Sequence, residues 1–168
     1  MLMNFKELCA ARYSCRQYKN EPIPAEKLEY IKECVRLAPS AVNLQPWRFL
    51  LIDDEEKLQQ VRECYKRDWI KTAPAIVICL KNEGEAWTRG CDGHNHADVD
   101  VAIATEHLGL AASEQGLGSC LFCNFDVQEL MATGLIPQDY TPSVLVPIGL
   151  PADEPKPKTR KPMDEVWG

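Results

Sequence analysis

Basic side chains near the two ends of the chain have an alternating spacing that suits a phosphate group. Arg12, Ser14 and Arg16 are two residues apart, so a short extended segment places all three side chains on one side. Two guanidinium groups and a hydroxyl can then hold phosphate oxygens through charge-assisted hydrogen bonds. Lys158 and Arg160 have the same spacing in the C-terminal segment. These residues predict a small anion site, against the alternative that they are solvated surface side chains.

A second group of polar residues lies within an apolar stretch in the first third of the chain. Asn43 and Gln45 alternate with Val42 and Leu44, just before Pro46 and a tryptophan. Because buried amides need hydrogen-bond partners, we expect these two side chains to contact a ligand. The tryptophan that follows is interpreted as a core aromatic residue.

Thiols and imidazoles offer an alternative chemistry, a structural zinc site. The candidate ligands are Cys91, His94, His96, Cys120 and Cys123. Thiolate sulfur and imidazole nitrogen are the ligands that zinc prefers. The first cluster lacks a two-cysteine knuckle, and a predicted helix about 27 Å long at ~1.5 Å per residue separates the clusters. Four of the eight cysteines lie in apolar patterns and are interpreted as reduced core residues: Cys9, Cys34, Cys64 and Cys79.

Length and charge restrict the class of protein. A chain of 168 residues is expected to form one domain, over residues 1–168. Its net charge of −6 argues against a general nucleic-acid surface, which needs clustered basic residues in excess. No apolar run reaches the ~18–20 residues that span a bilayer. The first residues do not resemble an export signal, so a cytoplasmic location is expected.

Caps, stop signals and apolar patterns predict a mixture of helices and strands. The predicted helices cover residues 4–11, 24–38, 53–66, 98–115 and 126–134. The predicted strands cover residues 48–53, 75–80, 121–122 and 143–149, with Pro147 marking an edge or an irregularity. Helices and strands do not alternate regularly, which indicates an α+β fold with a mostly antiparallel or mixed sheet flanked by helices. Residues 151–168 are expected to form an extended arm that reaches another subunit, with Trp167 as an anchor.

Three segments in a fixed order resemble the nitroreductase family of FMN-dependent oxidoreductases. These are Arg12-Tyr13-Ser14-Cys15-Arg16, the run from Ala38 to Trp47, and Lys156 to Pro162. The resemblance covers nearly the whole chain. It implies the α+β nitroreductase fold and a homodimer with FMN at the subunit interface, where each site is built from both chains.

The resemblance also implies which residues bind the cofactor. Those expected to contact FMN are Arg12, Tyr13, Ser14, Arg16, Pro39, Ser40, Ala41, Asn43, Gln45, Lys158 and Arg160. The segment from Gly116 to Phe125 is similar to the family segment whose backbone N–H lies near flavin N5. Here the backbone of Cys123 and Asn124 takes that place, although Leu121 and Asn124 stand where many members have an aromatic residue and a glycine.

The activity implied by the resemblance is electron transfer from NADH or NADPH to an electron-poor acceptor such as a nitroaromatic compound or a quinone. Donor and acceptor would react in turn, in a ping-pong hydride mechanism. No side chain is expected to act as a catalytic acid or base, because the flavin carries the chemistry. Two alternatives are a non-catalytic FMN-binding protein and a dimeric scaffold without a cofactor.

Overall fold

One antiparallel sheet of four strands forms the centre of the molecule. The computed structural model describes residues 3–168. Its strands are β1 (Trp47–Ile52), β2 (Ala75–Lys81), β3 (Gly118–Ser119) and β4 (Thr141–Gly149), in the spatial order β1-β2-β4-β3. Every pairing between these strands is antiparallel. The predicted α+β class is confirmed, and the sheet is antiparallel rather than mixed.

Helices cover both faces of the sheet. They are α1 (Phe5–Ala11), α2 (Ala25–Arg36), α3 (Glu55–Glu63), α4 (Ala97–Glu114), α5 (Val127–Ala132) and α6 (Met163–Val166). Short 3-10 turns cover Ala41–Asn43 and Asp68–Thr72. Helix α4 is the longest and buries nine of its residues, as its broad apolar face predicts.

Strand β2 separates two hydrophobic clusters because successive side chains of a strand point to opposite faces. Val77 and Cys79 pack with α2 and α4 on one face. Ile76, Ile78 and Leu80 pack with α3 and α5 on the other. The strand is therefore buried on both faces, as its continuous apolar run indicates. Trp47 of the edge strand β1 is only half-buried and packs against the first cluster.

The predicted helix starts at residues 4, 53 and 126 are confirmed, apart from a shift of one residue in the second. Asn4 and Glu7 form the expected capping box at the start of α1. Asp126 caps α5 by accepting from the N–H of Glu129. The cap of α3 is Asp54, which accepts from the N–H of Lys57, rather than Asp53. Asp53 is followed three residues later by Glu56, and Asp54 by Lys57. Since either aspartate could begin the helix, the sequence alone predicted its start one residue early.

Two predictions about strands are wrong in detail. The brief strand expected at 121–122 is observed at Gly118–Ser119, which pairs with the end of β4, while Phe122 forms an isolated antiparallel bridge with Leu145. Of the two possibilities for Pro147, the edge strand is wrong because β4 lies between β2 and β3, and the irregularity is the one observed. Its carbonyl accepts hydrogen bonds from Cys120 and Tyr18, so the proline nitrogen faces the irregular segment after β3.

All eight cysteines are free. Cys64 and Cys79 are buried, as expected, and Cys34 is half-buried. Cys9 is exposed, so its assignment to the core is wrong. The reason is that α1 is short and buries only Leu8. Among residues 3–168, no helix is both long enough and apolar enough to cross a membrane.

Candidate functional site

The segment that carries Arg12, Ser14 and Arg16 runs along the short strand β3. Ser14 forms a parallel bridge with Ser119, and the backbone N–H of Cys15 donates to the Ser119 carbonyl at 3.0 Å. The Cys15 side chain is fully buried behind this segment. The alternation of an extended chain therefore turns Arg12, Ser14 and Arg16 away from the core, as the sequence predicts.

Asp153 fastens the beginning of the C-terminal arm to this segment. Its carboxylate accepts from the backbone N–H of Arg16 at 2.8 Å and from the Cys15 thiol at 3.0 Å. The Tyr13 hydroxyl donates to the Asp153 carbonyl at 2.8 Å. Burial and the hydrogen bond to Asp153 raise the pKa of the Cys15 thiol to about 12. This thiol is therefore a protonated donor and not a nucleophile.

The segment and the arm enclose a cavity of about 270 Å³. We call it the cationic cavity; its lining residues are Arg12, Tyr13, Ser14, Arg16, Asp153, Glu154, Lys156, Lys158 and Arg160. Five of these side chains are basic and two are acidic, which leaves an excess of three positive charges. The structure thus brings together the two basic groups that lie at opposite ends of the sequence. Such a cavity suits an anion of the size of a phosphate group.

Lys158 connects the arm to the end of α1. Its ammonium group donates to the backbone carbonyls of Ala10 and Arg12. Burial, and then repulsion from Arg12 and Arg160, lower the pKa of Lys158. Crowded cations that depress a lysine pKa are stabilised by an added anion. Lys158 therefore lines the cationic cavity and also holds the backbone from which Arg12 projects.

Sequence reasoning missed three residues around this cavity: Asp153, Glu154 and Trp69. The guanidinium carbon of Arg16 lies 5.9 Å from the centroid of the Trp69 ring, within the range of a cation–π contact. An acidic pair inside a Pro- and Lys-rich tail was a signal that could have pointed to Asp153. No local pattern indicates Trp69, because it reaches Arg16 only through the fold.

The loop at residues 39–45 has a strained backbone. Three of its residues, none of them glycine, have left-handed φ angles: Val42 at 52°, Asn43 at 58° and Gln45 at 53°. Such conformations cost roughly 1–3 kcal/mol each and persist where the surroundings impose them. Ser40 accepts from the N–H of Gln45 at 2.9 Å, and Asp100 accepts from the N–H of Ala41 at 2.9 Å. Strain of this kind clusters at functional sites.

The expected burial of Asn43 and Gln45 is wrong for the single chain. Both residues are exposed, as are Val42 and Leu44. The turn at 41–43 projects the loop away from the sheet, so the apolar neighbours do not enclose the amides. Contact of these two residues with a ligand stays a prediction. It would involve exposed side-chain amides that the strained loop holds in a fixed conformation.

The segment after β3 presents free backbone donors. Cys123 and Asn124 are exposed, and the described residues contain no hydrogen-bond acceptor for either backbone N–H. Burial and the carboxylate of Asp98 raise the pKa of the Cys123 thiol. The thiol is therefore not activated, and the backbone is the part of this segment that can bind a ligand.

The structure does not assemble the alternative zinc site. In the part of the chain from residue 3 onward, no group of three or more His, Cys, Asp or Glu residues is placed to hold a metal ion. Cys120 is buried, whereas Cys91 is exposed on a hairpin before α4. His94 and His96 instead stack edge-to-face, with ring centroids 4.9 Å apart. The described residues therefore give no support to the zinc alternative.

Comparisons with known proteins find similarity along most of the chain. The model of the nitroreductase family matches residues 9–64 and 56–150. An iodotyrosine deiodinase of Thermotoga neapolitana is 29% identical over an alignment of 178 positions, gaps included, that covers 90% of each protein. A Bacillus subtilis protein named FMN reductase (NAD(P)H) is 28% identical over 91% of this chain and 68% of its own length.

A solved structure has the same architecture. It is a nitroreductase family protein from Clostridium difficile, 32% identical in sequence, with a TM-score of 0.92. The likeness covers 99% of this chain and 98% of the other. The predicted fold is confirmed over the same extent.

Proposed function

Because the chain belongs to the nitroreductase family, we propose that it is an FMN-dependent oxidoreductase that passes electrons from NADH or NADPH to an electron-poor acceptor. Nitroaromatic compounds and quinones are the acceptor classes we expect. The observation that carries this proposal is the cationic cavity, whose excess of three positive charges matches a phosphate dianion. The name of the Bacillus subtilis relative, which includes both FMN and NAD(P)H, also supports it.

The residues present fit FMN at its phosphate end. Arg12 has one weak ion pair, with Glu106 at 3.9 Å. The guanidinium group of Arg16 is exposed and, among residues 3–168, donates only to the Ser14 carbonyl, at 3.4 Å. Both guanidinium groups thus keep donors for phosphate oxygens, and the Ser14 hydroxyl adds another. Lys158 and Arg160 contribute charge from the arm.

Other residues would bind the remainder of the cofactor. When bound, FMN supplies the ring that accepts and returns a hydride. The free N–H groups of Cys123 and Asn124 would donate to the edge of that ring, and the polar groups of the 39–45 loop would bind along it. No side chain is assigned a catalytic proton transfer. We infer that donor and acceptor react in turn, in a ping-pong pattern.

The positions of the loop and of the cationic cavity on α4 support a site shared between two chains. The loop contacts α4 at Asp100 through Ala41. Arg12 contacts α4 near Gly109, where its Cδ lies 3.7 Å from the place a Cβ would occupy. Asp100 and Gly109 are nine residues apart, which corresponds to about 2.5 helical turns. The two contacts therefore lie on opposite sides of α4. One chain would then supply the cavity and a second chain the loop.

Exposed apolar side chains support the same arrangement. Those on α1, α4, the end of α2 and the loop are Phe5, Leu37, Val42, Leu44, Val99 and Ile103. Large apolar surfaces in soluble proteins usually mark an interface. We therefore propose a homodimer and expect sedimentation velocity to show a particle of twice the 19.0 kDa chain mass. A single species at the chain mass would contradict it.

The arm has two parts in this proposal. From Asp153 to Arg160 it lies beside its own chain, where Lys158 bonds to Ala10 and Arg12. After Arg160, the arm exposes three large apolar side chains, Met163, Val166 and Trp167. We propose that these terminal residues, rather than the whole arm, contact the partner subunit.

Steady-state turnover separates an enzyme from a protein that only binds FMN. Protein loaded with FMN and freed of excess cofactor is mixed with NADH or NADPH and either menadione or a nitroaromatic compound. We expect oxidation of the nicotinamide that requires both protein and acceptor. Retained flavin without acceptor-dependent oxidation would favour the non-catalytic alternative, and a protein that never retains FMN would favour the scaffold.

A further inference from the structure

Asp100 of α4 is a buried carboxylate with one partner. Its residue is 2% exposed, and its Oδ1 accepts from the backbone N–H of Ala41 at 2.9 Å. Its Oδ2 is buried and has no hydrogen-bond partner among residues 3–168. A buried carboxylate that is only partly satisfied contributes little to folding and often opposes it. The position of Asp100 therefore calls for an explanation other than stability.

The strained loop at residues 39–45 explains why Asp100 is buried beside Ala41. Residues 42–45 are exposed and receive no support from the core. The loop is fastened at its two ends, at Ala41 by Asp100 and at Pro46, whose carbonyl accepts from the N–H of Asn82 at 2.9 Å. The left-handed residues lie between these two points. The bond from the Gln45 N–H to Ser40 lies within the loop, so Asp100 is the side chain that joins the loop to α4. Without this attachment, we expect the backbone at 41–45 to relax toward ordinary φ angles.

We propose that Asp100 is a positioning residue that holds the 39–45 loop in its cofactor-binding conformation without touching the cofactor. This inference rests on the proposed function, because it assigns the loop to FMN. The carboxylate of Asp98 lies in the same first turn of α4 but bonds to Lys81 and Ser143 instead. Asp98 already supplies favourable charge to the helix N-terminus, so that role does not account for Asp100.

Three variants test the assignment. Asp100→Ala removes the acceptor, Asp100→Asn keeps an oxygen at the place of Oδ1, and Asp98→Ala removes a carboxylate from the same turn. Hydrogen exchange of the amides at 41–45 is measured in the cofactor-free protein, since exchange reports local opening. The dissociation constant of FMN and the melting temperature of the cofactor-free protein are measured alongside.

In Asp100→Ala we expect exchange at 41–45 to be faster and FMN affinity to fall about tenfold, as for a lost hydrogen bond to a charged group. The melting temperature should stay the same or rise, because a partly satisfied buried carboxylate is removed. Asp100→Asn should restore slow exchange and affinity. Asp98→Ala should keep the exchange rates and the FMN affinity of the parent protein, with a lower melting temperature because the bonds to Lys81 and Ser143 are lost.

Several outcomes would overturn the inference. These are unchanged exchange in Asp100→Ala, failure of that variant to fold, or an equal effect in Asp98→Ala. Fast exchange at 41–45 and weak FMN binding in Asp100→Asn would also count against the inference. The exchange comparison needs no flavin, so it still decides the role of Asp100 if the parent protein fails to bind FMN and the proposed function is wrong.

Discussion

Replacing Arg16 with alanine is expected to weaken FMN binding about 10- to 100-fold, because charge-assisted hydrogen bonds contribute roughly 1.5–3 kcal/mol. Arg16 lines the cationic cavity, and its guanidinium group has one weak acceptor, the Ser14 carbonyl, in the described part of the chain. Its side chain is exposed, so the free energy of unfolding should change by no more than about 0.5 kcal/mol. Fluorescence titration with FMN measures the affinity, and thermal melting checks the fold.

A matched control separates local contact from net charge. Arg36 is an exposed arginine of α2 that bonds to Glu33 and lies outside the cationic cavity. Arg36→Ala removes the same charge and should leave FMN affinity unchanged. Equal losses in the two variants, or no loss in Arg16→Ala, would contradict the phosphate assignment.

Replacing Gly118 with alanine should both destabilise the protein and damage the site. A Cβ at this position would lie 2.5 Å from the Cys15 sulfur and 2.7 Å from the Cys15 Cβ. Cys15 is fully buried, so the clash has to move either β3 or the segment that carries Ser14 and Arg16. Overpacking of this kind costs about 1–3 kcal/mol.

The measurement for Gly118→Ala is thermal melting of the cofactor-free protein, followed by FMN titration. We expect a melting temperature lower by several degrees, at roughly 2–4 °C per kcal/mol for a chain of this size. FMN affinity should fall as well. Gly90→Ala is the control, because nothing lies within 4 Å of its added Cβ. A variant as stable as this control would show that β3 does not hold the segment as described.

Features that depend on neighbouring residues could be predicted from the sequence. The capping box of Asn4 and Glu7 and the cap at Asp126 involve groups three residues apart, and both form. The alternation of Arg12, Ser14 and Arg16 likewise follows from extended backbone geometry. Where two local signals competed, at Asp53 and Asp54, only the folded chain decides between them.

Features set by distant parts of the chain could not be predicted in this way. The position of β3 depends on pairing with β4, some 30 residues further on. The contact of Asp153 with Arg16 spans 137 residues, and that of Asp100 with Ala41 spans 59. The exposure of Asn43 and Gln45 depends on left-handed backbone angles at residues that ordinarily avoid them. Composition gives no signal for these pairings, although the acidic pair in the basic tail draws attention to Asp153 itself.

The most direct test is the absorption spectrum of the purified protein after loading with FMN and removal of the excess, followed by addition of NADH or NADPH without oxygen. We expect flavin bands that stay with the protein, bleach on addition of the nicotinamide and return when menadione is added. Protein that retains no flavin, or retained flavin that neither nicotinamide bleaches, would contradict the assignment of this chain as an FMN-dependent oxidoreductase.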